Sequence, residues 1–402
     1  LVTALDDIAW LFNLRGKDVD CNPVFYSYAV IGRNIAHLFV DFSKISDEIR
    51  ANLKADGVFL KSYDLIEVFL NELTADRNIL LDPATTSYRL YQALGKTDIE
   101  EGKPIIPALK SIRNEAEIVF LRQAMQKDGV ALLRLYRWLE AELKKGTVTE
   151  CAIAQQLHAF REAQGDYFGE SFPAIVGYAS NGAIVHYRPE PETCAEVKNE
   201  NILLLDSGGQ YLQGTTDITR TVALGEPTDE QRRNFTLVLK GMIALSNVRF
   251  PKGTAGIQLD ALARQYLWQH GLNYGHGTGH GVGFFLNVHE PPQSISPTPR
   301  GRALTKLQVG MVTSNEPGFY KDGEYGIRTE NLILCVESEM DGFCHFETLT
   351  LFPIDNRLID NKLLSATEKD WLNTYHQKVF DHLSPLLEQD EVEWLQIKCQ
   401  AI

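Results

Sequence analysis

One order of elements is written twice along residues 114–336, and few folds can accept it. In the first copy a long helix from Asn114 and a second from about Thr149 to Gly165 lead to a segment with His186, then to Asp206 and Asp217. In the second copy a helix over about 229–248 and a shorter one over about 256–270 lead to the histidine segment 275–289, then to Glu316 and Glu330. Each copy reads helix, helix, histidine segment, carboxylate hairpin. The acids are 11 residues apart in the first copy and 14 in the second. This repetition predicts an internal duplication, two α/β halves meeting at a pseudo-twofold axis with ligands from both.

The helices are legible from their caps and stripes. Asn114 with Glu117 forms a capping box, and Ile118, Leu121, Met125, Leu132, Leu135, Leu139 and Leu143 recur at helical spacing. The segments Ala174–Gly177, Ile184–Tyr187, Ile202–Asp206, Thr216–Leu224, Met311–Asn315 and Ile327–Val336 read as strands. Residues 1–108 form a separate α/β unit. In it, Val24–Ile31 and Ile35–Phe42 make a hairpin around Gly32-Arg33-Asn34, Val58–Leu60 and Ile79–Leu81 are strands, and 44–55, 63–74 and 85–94 are helical. Pro104 and Pro107 mark a linker. Residues 109–402 form the larger domain, ending in a helical extension over about 365–402 that carries Trp371, Tyr375, Phe380 and Trp394. That tail packs on the core or on a second subunit.

A net charge of −14 excludes a nucleic-acid binder, since phosphates would be repelled. No apolar run approaches the roughly 20 residues needed to span a bilayer. Six cysteines without CxxC spacing read as reduced thiols, which points to the cytoplasm. The chain starts at Leu1 without methionine and enters a strand-like stretch, Ile8–Leu14, almost at once. It is therefore expected to be a fragment.

Asp206, Asp217, His280, Glu316 and Glu330 are the candidate metal ligands. Four carboxylates and one imidazole carry too much negative charge for one divalent ion. Two ions roughly 3.5–4 Å apart, bridged by carboxylates, balance it. Asp206 ends the apolar run Ile202–Leu205, and Asp217 opens DITRTV. At facing positions of a hairpin the two converge on one ion. Glu330 precedes Asn331 and the apolar run Leu332-Ile333-Leu334, so its acid is buried and needs a partner. The stretch GHGTGHGVG (275–283) lacks a Lys-Ser/Thr ending and a strand–loop–helix context, which excludes a phosphate cradle. Its glycines instead let backbone and histidines approach a reacting centre.

With these residues in place the chain resembles a known family. LLLDSGGQYLQGTTDITRTV (203–222), GHGTGHGVGFFLNVHE (275–290), SNEPGFY (314–320) and YGIRTEN (325–331) are similar to the signature of the pita-bread metallopeptidases. The match is to Xaa-Pro aminopeptidases of the eukaryotic-type cytosolic branch. LDDIAWLFNLRG (5–16) resembles that branch's middle domain, a creatinase N-terminal-like unit, and 371–395 its C-terminal extension. The resemblance implies an α/β (α+β) pita-bread domain and two divalent ions, Mn²⁺ before Zn²⁺ or Co²⁺. It also implies a cytoplasmic homodimer acting on peptides with proline second. By position, Asp206 and Asp217 would bind one ion with Asp217 bridging, His280 and Glu316 the other, and Glu330 would bridge. A metal-bridging hydroxide would attack the scissile carbonyl, with Glu316 as general base. His276 and His289 match proton-transfer and substrate-orienting positions, and His186 an oxyanion-stabilising one. Tyr320 and Arg328 match substrate-side polar positions, where Arg328 could hold a carboxylate in its metal-binding orientation.

Two departures stand out. The family's long form has a further domain before LDDIAWLF, and Pro291 stands where the family has glycine. The alternatives are a prolidase of the same fold, a metal-free binding module and a creatinase-type hydrolase. The tail and the GHGTGHGVG form favour the aminopeptidase, and the complete ligand set disfavours the last two.

Overall fold

A computed structural model describes residues 1–73, 78–95, 97–102 and 105–402. Pro104 and the end of the helix expected over 63–74 lie outside them. The chain divides into two compact units, Leu1–Lys110 and Ser111–Ile402.

The first unit runs α1 (Leu5–Leu11), β1 (Ser27–Gly32), β2 (Ile35–Val40), α2 (Asp47–Ala55), β3 (Val58–Ser62), α3 (Ile66–Asn71), β4 (Asn78–Leu81), α4 (Tyr88–Ala93), β5 (Asp98–Glu101) and α5 (Ile106–Lys110). β1 and β2 pair antiparallel around Gly32–Ile35, and β3 joins β2 in parallel. β4 and β5 form a second, parallel pair. Phe39, Ile66, Leu70, Leu81, Leu90 and Leu94 make its core. The expected strand at Ile8–Leu14 is instead helix α1. A short apolar run does not distinguish strand from helix. Asp6 and Asp7 settle it, because acids in a first turn suit a helix N-terminus, and both pair with the buried Lys110 ammonium.

The second unit begins with α6 (Glu115–Leu143), capped by reciprocal Asn114–Glu117 bonds, and α7 (Glu150–Glu162). Six of the seven apolar stripe residues are buried, Ile118 partly. The strands β6 (Tyr167–Tyr178), β7 (Ile202–Tyr211) and β8 (Ile218–Ala223) follow, with β7 between the other two and all pairings antiparallel. Then α8 (Asp229–Asn247) and α9 (Gly256–Trp268) lead to a second sheet. It is built from β9 (Gly279–Gly281), β10 (Glu290–Ile295), β11 (Val312–Asn315), β14 (Asn331–Glu337) and β15 (Phe343–Thr348). A separate hairpin, β12 (Gly318–Lys321) with β13 (Tyr325–Arg328), is inserted between β11 and β14. In both halves the chain is helix, helix, and then an antiparallel ladder whose middle strand (β7 or β11) carries or precedes the first acid. The duplicated pita-bread architecture follows from that order.

Two readings change. Ile184–Tyr187 is a turn, not a strand. The Glu150 carboxylate accepts from the Tyr178 and Ala195 N–H groups, the Asn181 amide and the Tyr187 hydroxyl, which ties the segment into a loop. The strand expected over Ile327–Val336 is cut at Thr329–Glu330 into β13 and β14, which serve different sheets. The tail forms α10 (Ala366–Leu383) and α11 (Gln389–Lys398). It packs on the core of this unit through Leu372, Tyr375, Val379, Leu383 and Leu395, with Trp371 stacked on Tyr375 at 5.3 Å.

Candidate metal centre

Two close backbone approaches bring the acids together. A Cβ on Gly208 would stand 2.0 Å from the Thr216 carbonyl, so only glycine lets the chain fold back and place Asp217 against β7. A Cβ on Gly279 would stand 1.9 Å from the Ser314 carbonyl, so glycine also lets β9 lie against the strand leading to Glu316. The two acid pairs differ in register. Asn315 and Asn331 are the last pair of that ladder, so Glu316 and Glu330 stand opposite each other just past its end. In the first half Asp206 faces Thr219, two residues beyond Asp217. The facing geometry expected for Asp206 and Asp217 is therefore a diagonal, because β7 runs on to Tyr211 before the chain turns.

Asp206, Asp217, His280, Glu316 and Glu330 all line one cavity of about 460 Å³, together with His186, His276, His289 and Arg328. Ligand atoms of Asp217, His280 and Glu330 lie within 4.8 Å of one another. Tyr320 stands behind the wall, its hydroxyl 2.8 Å from His276 Nε2.

The hydrogen bonds fix what each atom can do. His280 Nδ1 stands 3.0 Å from the Gly281 carbonyl, so this nitrogen carries the proton and donates. The Nε2 lone pair then faces Asp217 Oδ2 at 3.5 Å and Glu316 Oε1 at 3.3 Å. Burial, followed by the charge of His289, drives the His280 pKa down to about 3, so the imidazole stays neutral. Three acceptor atoms thus converge on one space; with no cation there the two carboxyls hold on to their protons, and a divalent ion would take the place of those protons. Asp206 Oδ1 and Glu330 Oε1 are buried and have no hydrogen-bond partner among the described residues. Such orphaned oxygens also suit a metal.

Three carboxylate oxygens accept hydrogen bonds. Asp206 Oδ2 accepts from Arg328 Nη2 at 2.6 Å, and Glu330 Oε2 accepts from the Thr219 hydroxyl at 2.8 Å. Ser314 donates to Glu316 Oε1 at 3.1 Å and accepts from the His280 N–H at 2.9 Å. Without a cation, burial and mutual repulsion penalise the charged forms. Asp217 is pushed well above the ordinary carboxylate range by burial and then by Glu330, Asp206 and Glu316. Glu330 is pushed likewise by burial, Glu316 and Asp206, and Glu316 is raised to about 8, chiefly by burial.

His276 is oriented by two bonds. Its Nδ1 donates to the Gly277 carbonyl at 2.7 Å, and its Nε2 accepts from Tyr320, whose oxygen in turn accepts from Arg328 Nη1 at 2.6 Å. Burial lowers its pKa to about 4. His289 packs edge-on to His280 at 4.1 Å, and burial with the nearby Arg302 charge lowers its pKa. His186 is exposed at the cavity wall. Sequence reasoning missed Thr219 and Ser314, and also Arg188 and Arg302, which line the cavity. Thr219 and Ser314 stand two residues from Asp217 and Glu316, on the same strand face, and that period-two spacing was the available signal.

A duplicated pita-bread unit with an acid- and histidine-lined cavity defines a metallopeptidase class. The description metallopeptidase family M24 matches residues 120–337, flanked by a Creatinase/Prolidase N-terminal domain over 1–117 and a C-terminal region of peptidase_M24 over 342–402. The chain belongs to metallopeptidase family M24.

Within it, the chain is 44% identical over 417 residues to a probable Xaa-Pro aminopeptidase P of Laccaria bicolor, covering 100% of this chain and 64% of the relative. It is 42% identical to Aminopeptidase P2 of Arabidopsis thaliana, covering 98% of this chain and 61% of that one. The chain thus spans less than two thirds of the length of these relatives. Among solved structures it superposes on X-prolyl aminopeptidase from Caenorhabditis elegans, described as a cytosolic enzyme with a di-nuclear active site. The TM-score is 0.94 at 35% identity, over 99% of this chain and 67% of the other. No helix among the described residues is long and apolar enough to cross a membrane.

Proposed function

We propose that this protein removes the N-terminal residue from peptides whose second residue is proline, using two divalent ions held by Asp206, Asp217, His280, Glu316 and Glu330. The observation that carries this reading is the convergence of the neutral His280 Nε2 with one carboxyl oxygen each of Asp217 and Glu316, a donor set suited to a divalent cation. Relatives named Xaa-Pro aminopeptidase P and a di-nuclear neighbour support it. Mn²⁺ is the proposed metal, and a cytosolic homodimer the proposed setting.

Two divalent ions would supply Lewis acidity there, polarising a carbonyl and acidifying water. The chain's own residues do the rest. Glu316 takes a proton from the attacking water and passes it to the leaving amine. Arg328 holds Asp206, and Thr219 holds Glu330, each by one oxygen, leaving the other oxygen to face the cavity. His276 has both ring nitrogens in use, so it acts through the Tyr320 hydroxyl until a substrate displaces one bond. His289 and His186 stand at the wall, where they can orient the peptide and donate to the tetrahedral oxygen. An Xaa-Pro bond has no N–H, so a site lined by imidazoles loses nothing at proline, whereas a protease that binds that donor does.

Mn²⁺ added after chelation should restore hydrolysis of Xaa-Pro-Xaa tripeptides, with roughly two ions bound per chain. Absence of both metal uptake and Xaa-Pro cleavage would overturn the reading. Cleavage confined to Xaa-Pro dipeptides would replace it with a prolidase. Sedimentation of the Mn²⁺-loaded protein reads the oligomeric state.

A further inference from the structure

Arg220 lies one residue beyond Thr219 on β8, is 2% exposed, and donates hydrogen bonds in every direction. Nη1 reaches the Glu330 carbonyl at 2.5 Å and the Thr219 carbonyl at 3.0 Å. Nη2 reaches Asn331 Oδ1 at 2.9 Å, the Phe352 carbonyl at 2.7 Å and the Tyr375 hydroxyl at 2.8 Å. Nε reaches the Pro353 carbonyl at 3.1 Å. All these acceptors are neutral. Arg220 therefore works as a hydrogen-bond hub that ties the backbone at Glu330 to the Phe352–Pro353 segment and to Tyr375.

Glu330 is gripped at every polar group except Oε1. Its N–H donates to the Thr219 carbonyl at 3.1 Å, its carbonyl accepts from Arg220, and its Oε2 accepts from Thr219. The far end of this assembly is in the C-terminal tail. The Tyr375 oxygen lies 2.8 Å from Arg220 Nη2, and within 3.1 Å of the Thr350 and Phe352 carbonyls. Tyr375 sits in α10, 4% exposed.

We infer that Tyr375 and Arg220 are positioning residues for Glu330, through which helix α10 of the C-terminal tail sets how tightly the metal centre holds its ions. The inference rests on Glu330 being a metal ligand. It assigns the tail a part in metal retention, with no contact to the cavity itself. Because binding linkage is reciprocal, ions that bind at Glu330 must also steady α10.

The test uses the full chain. Calorimetric titration with Mn²⁺ compares wild type, Tyr375→Phe, and the packing control Val379→Ala in the same helix. Thermal unfolding of the metal-free proteins reports the fold. Tyr375→Phe should weaken Mn²⁺ binding about tenfold, as loss of an outer partner of a ligand does. Val379→Ala should lower the melting temperature at least as much, with a smaller change in Mn²⁺ affinity. Hydrogen exchange should slow in α10 when Mn²⁺ is added to wild type, and slow less in Tyr375→Phe. Equal losses of affinity in the two variants, unchanged affinity in Tyr375→Phe, or α10 exchange indifferent to Mn²⁺ would each overturn the inference. A wild type that takes up no Mn²⁺ sinks the metal reading and this inference together. A wild type that binds normally while Tyr375→Phe does too sinks this inference alone.

Discussion

The two halves of the larger unit solve the same problem differently. In the second half Glu316 and Glu330 stand opposite each other, one step past the last paired residues Asn315 and Asn331, and a whole hairpin, β12–β13, is inserted beyond them. In the first half Asp206 and Asp217 sit on a diagonal, and a bend held by Gly208 brings the second acid back. The shorter aspartates accompany the tighter turn, and the longer glutamates the more regular hairpin. Duplication therefore fixed where acids enter the strands, while local register was free to drift. Side-chain length makes up the difference.

The largest expected effect tests the second half's role in chemistry. Glu316→Gln should lower kcat for Xaa-Pro-Xaa peptides by about 10³-fold or more. The Mn²⁺ content should fall much less than in Asp217→Asn, measured by elemental analysis of the same samples. Substantial residual turnover in Glu316→Gln would remove its assignment as the base.

A pH series reaches outside the centre. His376 in α10 is fully buried and accepts from the Ile354 N–H through Nε2, so it is neutral in the fold. Burial, then the Arg220 charge, lowers its pKa from 6.5 to about 4. The unfolded chain takes up a proton below 6.5 and the folded chain does not until about 4. Stability is therefore complete above pH 6.5 and falls as the pH drops toward 4, by up to about 3 kcal/mol for this residue. Urea unfolding of the metal-free protein at pH 4.5 and pH 7 should show this contribution as the difference in slope between wild type and His376→Gln, because the raised Asp217, Glu316 and Glu330 carboxyls, common to both, act in the opposite direction. Equal slopes would assign acid sensitivity to other groups.

Smaller effects should separate the halves. Arg328→Lys removes the second half's hold on Asp206, and Mn²⁺ affinity should fall about 10- to 100-fold by calorimetry. Thr219→Val removes the first half's hold on the Glu330 carboxylate. It should cost about 1 kcal/mol of stability and a loss of affinity near the low end of that range. An effect of Thr219→Val larger than that of Arg328→Lys would reverse the order in which the halves depend on one another.

Much of this arrangement is legible in the chain because ionisable residues interrupt apolar runs at particular places. Asp206 after Ile202–Leu205 and Glu330 before Leu332–Leu334 are conspicuous, since a buried acid is costly without a partner. Histidines spaced among glycines are conspicuous for a similar reason. Thr219 and Arg220 were not singled out, because a hydroxyl and an arginine in a strand are common and their importance lies in contacts with Glu330, 111 and 110 residues distant along the chain. The diagonal of Asp206 and Asp217 was also hidden. It depends on where the ladder stops, which is set by the Gly208–Thr216 approach rather than by any alternation of apolar residues. In the smaller unit, α1 was misread because an apolar run of that length carries no period, and β5 was missed because Asp98–Glu101 has only Ile99 as an apolar residue.

The crossed bonds between the halves have a consequence for descent. Asp206 of the first half is held by Arg328 of the second, and Glu330 of the second by Thr219 of the first. Neither copy retains a complete set of its own, so neither can change at these positions alone. In an alignment of relatives, positions 206 and 328 should vary together, as should 219 and 330, while the 11- and 14-residue spacings within each half are free to differ. A pair of copies that began as repeats has become one heritable unit, and a lineage that lost either half could not rebuild the centre from the other.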